Sequence, residues 1–101
     1  MTVKVLVLYT QPENADEFDK QYLGVHMPLV DKIPGLQRAE SCRLVQAGDA
    51  GEMTYYRSAE LWFADIEALN AGMSSAEGRA VSKDYRAIAP PGSRLFIANV
   101  D

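Results

Sequence analysis

From Thr2 to Thr10 the residues fall into two alternating sets, Val3, Val5, Val7 and Tyr9 against Lys4, Leu6, Leu8 and Thr10. A period of two predicts a strand. Both sets are largely apolar, so both faces of that strand are expected to be covered. Gln11-Pro12-Glu13-Asn14 reads as a turn. Beyond it the period changes. Phe18, Tyr22 and His26 stand four apart and share one helical face, which Leu29, Val30 and Ile33 continue. The acidic residues Glu13, Asp16 and Glu17 suit the start of that helix and its dipole. Pro28 interrupts the run. It has no N–H, and in an α-helix its ring would meet the carbonyl of Gly24. Met27, directly before it, is expected to leave helical dihedrals. The pattern therefore predicts a helix ending near Gly24, a break over Val25–Met27 that holds His26, and a short second helix stopped by Pro34-Gly35.

The second half repeats the alternation. Gln37–Ala47 and Met53–Phe63 read as strands, separated by the loop signal Gly48-Asp49-Ala50-Gly51 and expected to pair as an antiparallel hairpin. Asp65 can cap a helix carrying Ile66, Ala68, Leu69 and Met73. Ser74 and Glu77 offer a capping box for a further helix with Ala76, Ala80, Val81, Tyr85 and Ile88 on one face. Ala89-Pro90-Pro91-Gly92 stops it, and Arg94–Val100 reads as the last strand. This order is the βαββαβ plan of a ferredoxin-like α+β fold, a four-stranded antiparallel sheet with helices on one face. Residues 1–101 make one domain. With strands apolar on both sides and no chain left to cover the second face, the expected assembly is a homodimer whose sheets pack face to face.

Composition removes several function classes. The formal net charge of -4 and the scatter of the ten basic residues argue against a nucleic-acid partner. Cys42 is the one cysteine and His26 the one histidine, too few for a disulfide framework or a typical transition-metal site, so no metal is expected. No stretch resembles a transmembrane span or a signal peptide, which predicts a cytoplasmic protein without a membrane partner. There is no Gly-x-Ser-x-Gly elbow and no phosphate-binding glycine loop.

The run Tyr22-x-x-x-His26-x-Pro28-Leu29-Val30, followed by Ile33-Pro34-Gly35-Leu36, resembles the EthD-like family of the dimeric α+β barrel superfamily. Leu61-Trp62-Phe63-Ala64-Asp65-Ile66-Glu67-Ala68 and Ser75-x-Glu77-Gly78 extend the likeness more loosely. The resemblance implies a dimeric α+β barrel. It also implies kinship with proteins linked to fuel-ether degradation, with small enzymes acting on polyketide intermediates, and with cofactor-free monooxygenases, cyclases and haem-binding enzymes.

The candidate chemistry centres on His26, whose ordinary pKa of about 6.5 suits a general acid or base. Its competing role is structural, as a partner for backbone groups freed at the Pro28 break. Tyr22, one turn earlier, is the candidate hydrogen-bonding partner, or else a core aromatic. Tyr9, Tyr55 and Trp62 are candidates for lining a pocket for a small hydrophobic molecule, against a role in core or dimer packing. The expected activity is cofactor-free acid–base chemistry on a small aromatic, carbonyl-bearing or polyketide-like compound. The alternatives are a non-catalytic ligand-binding protein of a catabolic pathway, a purely structural role, and haem ligation through His26.

Overall fold

The computed structural model describes residues 1–48 and 51–101. Its elements are β1 (Val3–Thr10), α1 (Ala15–Gln21), a π-helical turn (Tyr22–His26), α2 (Met27–Val30), β2 (Arg38–Arg43), β3 (Tyr55–Phe63), α3 (Ile66–Ser74), α4 (Ala76–Ile88) and β4 (Arg94–Asn99). The four strands form one antiparallel sheet in the order β2-β3-β1-β4, the ferredoxin-like arrangement the pattern predicts. The helices lie on one face. Val3, Val7, Tyr9, Ala59, Leu61 and Phe63 point into that layer and meet Phe18, Tyr22, Val30, Ile33, Leu69 and Val81 to form the core.

The opposite face carries Lys4, Leu6, Leu8, Glu60, Trp62 and Phe96, and among the described residues no helix crosses it. Leu6, Leu8 and Trp62 are half-buried and Phe96 is exposed. Trp62 has two cations against its ring, with Arg38 4.3 Å and Lys4 5.1 Å from the ring centre. Lys4 also pairs with Glu60 at 3.3 Å, so the charges on this face sit over an apolar floor.

The helix break expected at Val25–Met27 is absent. Met27 keeps helical dihedrals (φ -63, ψ -38), and the chain stays helical from Ala15 to Val30. The accommodation is a widened turn. The Met27 N–H donates to the Tyr22 carbonyl, five residues back rather than four. The extra residue in that turn separates Pro28 from the carbonyl stack that an α-turn would drive into its ring. The expected face survives the change. Phe18 stacks on Tyr22 (5.5 Å, 13°) and Tyr22 on His26 (5.7 Å, 20°).

Smaller differences lie at element ends. β2 stops at Arg43 rather than Ala47, although the Leu44 N–H still donates to the Tyr56 carbonyl. β3 starts at Tyr55 rather than Met53, beside a bulge where β1 and β3 change register. The centre of the 48–51 loop signal lies outside the described residues. Asp65 caps α3 as expected, its carboxylate accepting the Ala68 N–H at 2.8 Å. The cap of α4 is Ser75 and not Ser74: the Ser75 hydroxyl accepts the Gly78 N–H at 3.0 Å. Gly72 is required where it stands, because a Cβ there would lie 2.5 Å from the Pro34 carbonyl oxygen. Its bareness lets α3 sit against the turn that follows α2.

Candidate active site

Burying an imidazole requires partners for both ring nitrogens. His26 is 4% exposed and has both. Its Nδ1 is 2.8 Å from Asp84 Oδ2, a residue on α4 that is 58 positions away in the chain. Its Nε2 is 3.4 Å from the Tyr9 hydroxyl on β1. An ionised carboxylate only accepts, so in the neutral ring Nδ1 carries the proton and Nε2 carries the lone pair. The Tyr9 O–H donates to that lone pair. The widened turn presents His26 toward both groups, between α4 and the sheet.

Tyr9 is 1% exposed, and its ring meets Tyr22 edge-on at 5.2 Å. Burial pushes its phenol well above the ordinary range, reinforced by the neighbouring Tyr22, Tyr85 and Asp84. Tyr9 therefore stays protonated at neutral pH and remains a donor. Burial raises Tyr85 as well.

These groups border a cavity of about 320 Å³ between the sheet and α2, α3 and α4. Val5, Val7, Ala59 and Leu61 form its floor, and Met27, Val30, Met73 and Val81 its helical wall. Tyr9, His26, Ser82, Tyr85 and Arg86 supply the polar atoms. The volume is at the small end of ligand cavities. The arrangement is an apolar chamber with a lone-pair-bearing nitrogen, a phenol donor beside it and a carboxylate behind it. Chemically, it can accept a proton at Nε2, offer a hydrogen bond to an oxygen, and hold the resulting imidazolium against Asp84.

The five residues singled out from the sequence divide. Tyr9 and His26 meet at the cavity. The Tyr22 ring lies under the imidazole, but its hydroxyl turns away to Ser41 at 2.9 Å. Trp62 is on the opposite face of the sheet, and Tyr55 lies beside Leu44, Val45 and Met53 near the hairpin end. Asp84, Tyr85 and Arg86 complete the site and were not anticipated. Asp84 carried one available signal: it follows Val81 by three residues, an acidic group beside the apolar stripe of α4.

A second polar network lies nearby. Asp19 of α1 accepts from Arg57 Nε at 2.8 Å and from the Tyr56 hydroxyl at 2.7 Å. The hydrogen bond from Arg57 holds its carboxyl below the usual range, and Tyr56 assists. Arg57 is buried, with its guanidinium over the Tyr22 ring at 5.4 Å.

Among known proteins, the EthD domain family model matches residues 10–89. An uncharacterized 11.0 kDa protein from the thcB-thcC intergenic region of Rhodococcus erythropolis is 29% identical, over 95% of this chain and 92% of its own. The crystal structure of an EthD family protein from Bacillus halodurans superposes with a TM-score of 0.93 at 37% identity, over 100% of both chains. Two more distant structures share the fold. The hydroxynitrile lyase of Passiflora edulis has a TM-score of 0.79 at 10% identity, over 99% of this chain and 94% of its own. A dimeric ferredoxin-like protein of Thermobifida fusca has a TM-score of 0.75 at 13% identity, over 99% and 92%.

Proposed function

The chain belongs to the EthD family, and from that premise we propose that it is a small homodimeric enzyme moving a proton on a small hydrophobic, carbonyl- or phenol-bearing compound. The observation that carries this reading is the 2.8 Å contact between His26 Nδ1 and Asp84 behind an apolar cavity. Nε2 takes a proton from carbon or oxygen of the bound compound. Asp84 stabilises the imidazolium that results, and the Tyr9 phenol donates to the oxygen on which negative charge develops. The proton returns from Nε2 to the product, so the cycle needs neither redox partner nor cofactor. A lyase on the same backbone plan, that of Passiflora edulis, is consistent with such a cavity hosting chemistry.

The test is proton exchange. Enolisable aryl ketones are incubated in D₂O, and deuterium incorporation beside the carbonyl is followed by NMR. The expected result is His26-dependent exchange that falls about 10²–10⁴-fold in His26→Ala. Saturable binding with ligand returned undeuterated would assign the cavity to binding alone.

The dimer reading rests on the uncovered sheet face with Leu6, Leu8, Trp62 and Phe96. Packing two such faces removes apolar surface from water on both copies. The dimeric protein of Thermobifida fusca shares the fold. Light scattering is expected to give twice the chain mass, and Leu8→Glu to halve it. A wild-type monomer at micromolar concentration would overturn the reading.

A further inference from the structure

The cavity has a chemical asymmetry that proton transfer alone does not use. Its inner end holds His26 and Tyr9, with the Asp84 carboxylate behind the ring. Its mouth holds Arg86, an exposed residue on α4 that still borders the cavity. Among the described residues the ion pairs engage Lys4, Arg38 and Arg57 as cations, and none engages Arg86. Ser82 precedes Arg86 by four residues and also borders the cavity, so the two residues stand one helical turn apart on the same wall. Apart from Tyr85, the rest of the lining is apolar.

We propose that the ligand is an amphiphilic acid, an apolar body with a carboxylate at the end remote from the reacting carbon, and that Arg86 with Ser82 receives that carboxylate at the cavity mouth. This rests on the functional reading above and adds the substrate class to it. Three physical points converge. Asp84 at the inner end disfavours an anionic group there, so a carboxylate orients outward. The chain carries a net charge of -4, so an anion is retained only where a local cation outweighs the general field. Arg presents a planar fork that takes a carboxylate through two hydrogen bonds, which fixes direction as well as affinity. The competing role for Arg86 is to complement the C-terminal dipole of α4, in whose last turn it lies. That role requires no ligand.

The probes are 4-acetylbenzoate and its neutral counterpart 4-acetylbenzamide, which differ only at the end opposite the enolisable ketone. Binding is read from the His26 ring resonances, with deuterium exchange as a second readout. In the wild type the carboxylate is expected to bind about tenfold or more tightly than the amide. Arg86→Gln should abolish that preference, bringing the affinities for the two probes to within about twofold of each other. Arg86→Lys should restore part of it, since charge returns without the fork. Equal affinity of the two probes in the wild type, or a preference that survives in Arg86→Gln, overturns the proposal. In either case exchange of the amide's acetyl protons still reports on His26, so the functional reading stands or falls separately. Failure of both probes to perturb His26 at millimolar concentration would overturn both readings.

Discussion

Asp19 and His26 sit on one helical run, and each anchors a partly buried polar network, yet the two networks end differently. Asp19 receives Arg57 on one oxygen and Tyr56 on the other. That network joins α1 to β3 with both carboxylate oxygens occupied. His26 is fixed on one side by Asp84, while its other nitrogen has only a long contact, 3.4 Å to Tyr9, at the wall of a cavity. The Tyr22 ring touches both, with the Arg57 guanidinium 5.4 Å from its centre and the His26 ring stacked on it at 5.7 Å. Both networks are partly buried, so burial alone does not separate an architectural cluster from a candidate site. What separates them is whether the donors and acceptors are used up within the protein. A closed network stabilises, whereas an open one retains capacity for a substrate.

Three perturbations sharpen or break that contrast. Asp19→Ala leaves the Arg57 guanidinium buried without its partner and is expected to lower unfolding free energy by about 3 kcal/mol, measured by urea denaturation. Asp84→Asn should cost only about 1 kcal/mol, because the amide keeps the shape of the side chain and leaves no buried guanidinium without its counter-charge. The same substitution should reduce His26-dependent exchange about 10²-fold, since a neutral amide does not stabilise the imidazolium as a carboxylate does. Equal stability losses in the two variants would erase the distinction drawn here. The smallest effect lies in alkali. Burial raises the Tyr9 phenol in the folded chain, so above about pH 10 the unfolded chain releases a proton that the folded chain keeps. Stability is therefore lost as pH rises through that range. Tyr9→Phe should reduce this slope, with Tyr22, Tyr56 and Tyr85, also raised, supplying the remainder, and an identical alkaline slope in that variant would assign it to those groups.

The fold was legible because its signals are local and repeated. The two-residue alternation of Val3 to Thr10 and the spacing of Phe18, Tyr22 and His26 each state a period, and the order of the elements then leaves few topologies. The site was legible only where its chemistry is rare in this sequence: a single histidine draws attention to itself. Its partners were hidden for a physical reason. Asp84 reaches His26 across 58 residues, and that pairing depends on how α4 packs against the π-turn, which no spacing along the chain records. Tyr22 misled because spacing gives the direction of a ring but not the destination of its hydroxyl, which goes to Ser41. Tyr55 and Trp62 share the aromatic composition of pocket residues, but the parity of the sheet and the β1–β3 bulge send them elsewhere. The expected helix break failed because steric rules for proline assume an α-turn, and a turn with one more residue avoids the conflict.

That turn has a consequence for how the chain tolerates change in length. Gly24 lies within it, exposed, and a Cβ added there would meet no atom within 4 Å. Side chains are therefore admissible at this position, and Ala in place of Gly reduces the freedom lost on folding. Removing the residue altogether is another matter. A one-residue deletion would return the segment to an α-turn, bring the Pro28 ring back against a carbonyl, and rotate everything upstream by about 100° relative to His26. Phe18, Asp19 and Tyr22 would leave their partners together. The position is open in identity and closed in number, so variation across this helix is expected as substitutions rather than gaps.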